Sequence, residues 1–108
     1  MKVSELIGAQ LDYWVGITDG LLVEIKDGVC FQKVSDGKRD YSPSTNWTQG
    51  GEIIEKENIC WYEDHDELIV EAGEVGRHHM NLPIHTPKLI AAMRCYVANK
   101  FGEVVAEK

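Results

Sequence analysis

The sequence predicts an α+β fold in which a mostly antiparallel sheet of about four strands carries an N-terminal and a C-terminal helix on one face. Three observations lead there. Apolar residues recur at spacings of three and four near both ends of the chain, short β-rich runs bounded by turn residues fill the middle, and no repeat, low-complexity stretch or linker interrupts them. With 108 residues, 44% of them apolar, the chain is expected to form one domain over 1–108, because two halves would each be too small to close a core.

The first helix is expected from Ser4 to Asp19, where Ile7, Leu11, Trp14, Val15 and Thr18 share a face, with Ser4 placed to cap its start and Gly20 to end it. Trp14 on that stripe reads as a core residue. Leu21 to Ile25 and Val29 to Val34 form a hairpin across Lys26-Asp27-Gly28, because an Asp-Gly pair accepts the positive φ of a tight turn. A second turn, Ser35 to Lys38, leads through Arg39 and Asp40 into the segment Tyr41 to Gly51. Glu52 to Lys56 supplies a short helix with Ile53 and Ile54 inward. Ile59 to Tyr62 and Glu67 to Ala72 then pair across the acidic turn Glu63 to Asp66. Gly73, Gly76 and Pro83 break any period between Gly73 and His85, so this part is assigned as a loop that admits a short strand around His79 to Leu82. The last helix is the clearest element. Thr86 is a good N-cap, Pro87 suits the first helical position, Gly102 follows the final apolar residue, and Leu89, Ile90, Met93, Tyr96, Val97 and Phe101 mark the buried stripe. Glu103 to Lys108 is expected to fray.

A formal charge of −7, with the acids spread along the chain, argues against a nucleic-acid polymer as partner, since phosphate binding needs Lys and Arg to release counterions. A small anion is still compatible with the chain, because a local group of N–H donors outweighs distant negative charge. Cys30, Cys60 and Cys95 are widely spaced, lie among apolar or aromatic neighbours and form no C-x-x-C, so all three are expected as buried free thiols in a reducing cytoplasm. No apolar stretch is long enough for a signal peptide or a membrane span, and the expectation is a soluble cytoplasmic protein that does not engage membranes.

Function points to the segment Y-S-P-S-T-N-W-T-Q-G-G, Tyr41 to Gly51. Pro43 fixes its own φ and biases Ser42 toward extended geometry, which stiffens the bend and lowers the cost of ordering it around a ligand. Ser42, Ser44, Thr45 and Thr48 offer donors and acceptors, Asn46 and Gln49 can read an amide or base edge, and Tyr41 and Trp47 offer stacking faces. Gly50 and Gly51 would let backbone approach a phosphate at a helix start. The same residue types also build any tight turn, and Trp47 could simply cap the core. Arg39, with Arg77, His78 and His79, reads as a cationic patch for an anionic ligand or a second subunit. His78, His79, His85 and Met80 fall short of a metal site, because successive strand residues point to opposite faces. No ordered catalytic signature is present, and neither a metal nor a cofactor is indicated.

Three blocks resemble the NinX-like small proteins of tailed bacteriophages: S-E-L-I-G-A-Q-L-D-Y-W-V near the start, Y-S-P-S-T-N-W-T-Q-G-G-E-I-I-E in the centre, and T-P-K-L-I-A-A-M-R-C-Y-V-A near the end. The chain departs from that pattern at Asn46, where an acid is common, at Glu52, where a proline is common, and at the extra Lys88. The resemblance implies a phage accessory protein working in the bacterial host cytoplasm, and it supplies no catalytic residues. The leading expectation is a non-catalytic module that binds a small anionic or nucleotide-like ligand, one use of which would be to sequester a host defence signal. A protein-interaction module acting through Trp47 and Tyr41 is the alternative, and a nucleotide-cleaving enzyme using Asp40, Glu52 or His79 is the weaker one. Self-association is compatible with each, since a small domain can complete its pocket with a neighbour's loop.

Overall fold

The computed structural model describes residues 1–73 and 78–108. A single 3₁₀ turn, Val3–Glu5, precedes α1 (Gly8–Thr18), β1 (Val23–Lys26), β2 (Val29–Val34), β3 (Gly37–Asp40), α2 (Trp47–Lys56), β4 (Cys60–Asp64), β5 (Glu67–Ala72), β6 (His78–Pro83) and α3 (Lys88–Phe101). The class is α+β as expected, but the expected single sheet of about four strands is instead two three-stranded antiparallel sheets, ordered β1-β2-β3 and β4-β5-β6. The helices therefore do not share one face of one sheet. α1 packs on β1 and β2, α3 packs on the second sheet, and the two helices meet between them. The result is an elongated body of 46 × 25 × 22 Å.

Strand β3 accounts for part of the difference. Gly37-Lys38-Arg39-Asp40 is exposed throughout and has no apolar period, so nothing in its side chains announces a strand. Its backbone nevertheless pairs with β2 in the register Phe31↔Asp40 to Val34↔Gly37. The β1–β2 hairpin was legible, because Asp27 and Gly28 both sit at positive φ, 54° and 76°, as a two-residue turn of the primed type requires. β5 matches its expected span, and the short strand admitted around His79 to Leu82 is β6, paired to β5 along its length.

The helix boundaries shift for identifiable reasons. Ser4 lies in the 3₁₀ turn, so α1 starts later than expected, with Ile7 at its N-cap, no side-chain cap, and the Ile7 side chain 62% exposed instead of on the buried face. Leu11 and Val15 are fully buried, while Trp14 packs at the rim of the core. The end of α1 is as expected: Gly20 N–H reaches Ile17 O and Leu21 N–H reaches Gly16 O, the paired bonds of a Schellman cap. Thr86 is buried without capping α3, whose N-cap is Pro87, one residue later than expected. α3 is buried at Leu89 and at every position from Ala91 to Ala98, more than one stripe, because α1, α2, the second sheet and the 3₁₀ turn all surround it. Even Arg94 is buried there, its Nε donating to Leu6 O at 2.8 Å. Phe101, expected in the stripe, is 37% exposed and meets Trp14 edge-on at 5.3 Å.

The C-terminal tail is held, contrary to the expected fraying. Val3 N–H donates to Glu103 O and Val105 N–H to Met1 O, each at 2.9 Å, and Lys2 and Val104 form an isolated antiparallel bridge. Trp14 Nε1 donates to Ala106 O at 3.0 Å, and Gln10 exchanges hydrogen bonds with the backbone of Lys108. These bonds satisfy the backbone of the tail, and Val105 adds a buried apolar anchor.

Candidate functional site

The bend after β3 is built by its own side chains. Asn46 caps α2, its Oδ1 accepting from Thr48 N at 2.9 Å and Gln49 N at 3.3 Å, so the helix begins at Trp47 and both glycines lie inside it. Gln49 reaches back, accepting from Ser42 N at 2.7 Å and donating to Asp40 O at 3.2 Å. Thr45 N and Asn46 N both donate to Ser42 O, Gly50 N donates to Asn46 O, and Ser44 N donates to Asp12 Oδ1 at 2.9 Å. The expected cradle of open amide hydrogens at Gly50-Gly51 is therefore absent, since those groups serve the bend and the helix. Gly50 instead permits close packing: a Cβ there would lie 2.3 Å from Pro43 O and 2.6 Å from Leu89 Cδ1.

The sequence-predicted residues divide among several places. Tyr41, Pro43, Ser44 and Gly50 are buried, whereas Thr45, Asn46 and Trp47 are exposed, Trp47 at 57%. Arg39, Tyr41 and Gln49 come together in a cleft of about 220 Å³, joined by Asp19, Glu52 and Lys56. Ser42 borders a smaller cleft of about 130 Å³ on the other side of Tyr41, beside Asp12 and Cys30. His78 and His79 line a separate cleft of about 380 Å³ between β6 and the paired termini, so they do not join the Tyr41 group. Gly51 and Thr48 line none of these three clefts. Arg77 lies outside the described residues. Among the described residues no cluster of His, Cys, Asp and Glu is placed to hold a metal ion, and no helix is long and apolar enough to cross a membrane.

Sequence reasoning missed the polar groups beneath the bend. Asp19 Oδ1 accepts from Tyr96 OH at 3.0 Å and from Lys56 Nζ, which joins the ends of α1 and α2 to the middle of α3. That contact raises the Lys56 pKa above its ordinary value. Burial, reinforced by the Asp19 charge, also raises the pKa of the Tyr96 phenol. Asp12 is buried in α1 between Leu11 and Val15. Burial raises its pKa, opposed by the Ser44 backbone and by the nearby Ser44 hydroxyl, although that hydroxyl meets no partner in hydrogen-bond geometry. An acid among the buried positions of a helix was the available signal. The Tyr41 hydroxyl is likewise buried and unpartnered, and desolvation followed by the Asp19 and Asp12 charges keeps it protonated.

Burial and the Asp12 charge push the Cys30 thiol up to about 12, which leaves it a poor nucleophile at neutral pH. Cys95 is also buried, but Cys60 is exposed, which corrects the expectation of three buried thiols. A thiol-exchange reagent is therefore expected to titrate one cysteine quickly in the native protein and all three only in denaturant. A Cys60→Ser variant that still titrates quickly would contradict these burials.

In sequence comparisons, the chain matches the family described as Bacteriophage P22, NinX over residues 2–100. No curated protein matches it.

Proposed function

Since the chain belongs to the bacteriophage P22 NinX family, we propose that it is a phage accessory protein of the host cytoplasm that acts as a non-catalytic receptor for a small nucleotide-derived ligand. The receptor is the cleft of Arg39, Tyr41, Gln49 and Lys56. The observation that carries this reading is the convergence of two cations, Arg39 and Lys56, with the Gln49 amide and the Tyr41 side chain on one cleft. Asp19 and Glu52 balance Arg39 and Lys56, so a simple anion is a poorer match than a molecule with both a phosphate and donor hydroxyls. At about 220 Å³ the cleft is smaller than sites for whole drug-sized ligands, which run about 300–1,000 Å³, and it suits one sugar or base with the remainder extending outward. Sequestering a host defence signal is the use such capture would have.

Calorimetry and thermal shift against nucleoside monophosphates, ADP-ribose derivatives and cyclic dinucleotides test the proposal. At a hundredfold excess over Kd, a true ligand stabilises by about 2.7 kcal/mol, and Arg39→Ala is expected to abolish the shift. Unchanged melting across the whole panel would sink the reading. The 57% exposure of Trp47 favours a second reading, an aromatic anchor for a protein partner. Loss of a captured partner in Trp47→Ala, with no ligand shift in the parent protein, would select it.

A further inference from the structure

We propose that two copies of this chain associate edge to edge through β6, joining their second sheets into one continuous six-stranded antiparallel sheet. Four strands lie at sheet edges: β1 and β3 in the first sheet, β4 and β6 in the second. Three of them contain charged residues, namely Glu24 and Lys26 in β1, Lys38, Arg39 and Asp40 in β3, and Glu63 and Asp64 in β4. Charges on an edge strand restrict the registers in which it can pair and blunt edge-to-edge association. β6, His78-His79-Met80-Asn81-Leu82-Pro83, has no Asp, Glu, Lys or Arg. Among the described residues it is the sheet edge that carries no formal charge, so a copy of it can pair in any register without a charged residue being placed at the seam.

The backbone of β6 is oriented for this pairing. Pro83 has no N–H to give to β5, and its carbonyl accepts from Thr86 N instead of joining the ladder, so the polar groups of residue 83 face away from β5. Backbone direction alternates along a strand, so His79 and Asn81 present their N–H and C=O to the same outer side, while His78, Met80 and Leu82 bond inward. Among the described residues, no backbone group outside the sheet pairs with His79 or Asn81. A cleft of about 380 Å³ flanks this edge, with Lys2, Glu103 and Val104 across from it. His79 and Asn81 are both exposed.

The test is light scattering on the full chain from low micromolar to millimolar concentration, with amide exchange at both extremes. The expected result is twice the monomer mass at high concentration, with the His79 and Asn81 amides protected there and exchanging freely on dilution. Asn81 Nδ2 donates to Glu67 Oε2 at 2.6 Å on the exposed face, and Asn81→Lys exchanges that bond for an exposed ion pair with Glu67. It adds a charge at the seam and is expected to weaken association at least tenfold with little change in the melting of the monomer. Asn81→Pro removes the outward backbone donor together with the Glu67 bond, so it is expected to weaken association as much and to lower the melting of the monomer slightly. A monomer at every concentration, or a dimer that keeps its affinity in Asn81→Lys, overturns the proposal. So does a dimer whose protected amides lie in β1, β3 or β4.

Discussion

Replacing Gly50 with alanine is expected to destabilise the protein by about 3 kcal/mol, at the upper end of the ordinary range for overpacking. The new methyl would sit 2.3 Å from Pro43 O and 2.6 Å from Leu89 Cδ1, and the first of these is backbone that cannot rotate aside. α2 would have to lift off α3 or release the Pro43 bend. For a domain of this size the loss corresponds to a fall in Tm of roughly 10–15 °C. Gly51→Ala is the matching control, because its Cβ would meet nothing within 4 Å and the backbone there is helical. That change is expected to raise stability by about 0.5–1 kcal/mol through helix propensity. Equal effects at the two glycines would mean that the contact between α2 and the bend is wrongly drawn.

Asp12 gives the second large effect, with a sign that depends on the replacement. Asp12→Ala leaves the buried Ser44 N–H without its acceptor and is expected to cost about 1–3 kcal/mol. Asp12→Asn keeps an oxygen for Ser44 N, adds an amide donor near the unpartnered Ser44 hydroxyl, and removes a buried charge. It is expected to match or exceed the parent stability near neutral pH. The pH dependence follows from the raised pKa of Asp12. The folded chain holds this proton more tightly than the unfolded chain, so its contribution is complete below the ordinary value of 3.8 and is lost as pH rises through the higher folded value. Denaturant titrations should therefore show the Asn variant gaining on the parent as pH rises from about 3.8. A constant difference across that range would show that Asp12 is not desolvated in the fold.

Much of the fold was legible because local chemistry and tertiary structure agreed. Asp27-Gly28 fixed one hairpin, Gly20 ended α1, and the run from Leu89 to Phe101 announced α3. What was missed depended on partners far along the chain. β3 exists through its pairing with β2, and the tail is ordered by Trp14 and the first three residues. The candidate site was read from the right segment but with the wrong roles. Asn46 and Gln49 look like ligand readers in isolation, yet one caps α2 and the other pins the bend. Gly50-Gly51 looked like a break before a helix because glycine is a poor helix former, but Gly50 is inside one because Leu89 and Pro43 come so near. Asp12, Asp19 and Lys56 meet the segment only after three helices have packed together.

The bonds that close Met1 and Val3 onto residues 103–105 also set when this chain can finish folding. A ribosome releases the amino end first, so the opening residues must wait for acceptors made about 100 codons later, roughly 5–20 s at common elongation speeds. During that interval the first sheet and α1 have emerged while α3, which they pack against, is still being synthesised. Closure of the amino end thus follows synthesis of residues 103–105, and a nascent chain stalled before residue 103 should be protease-sensitive.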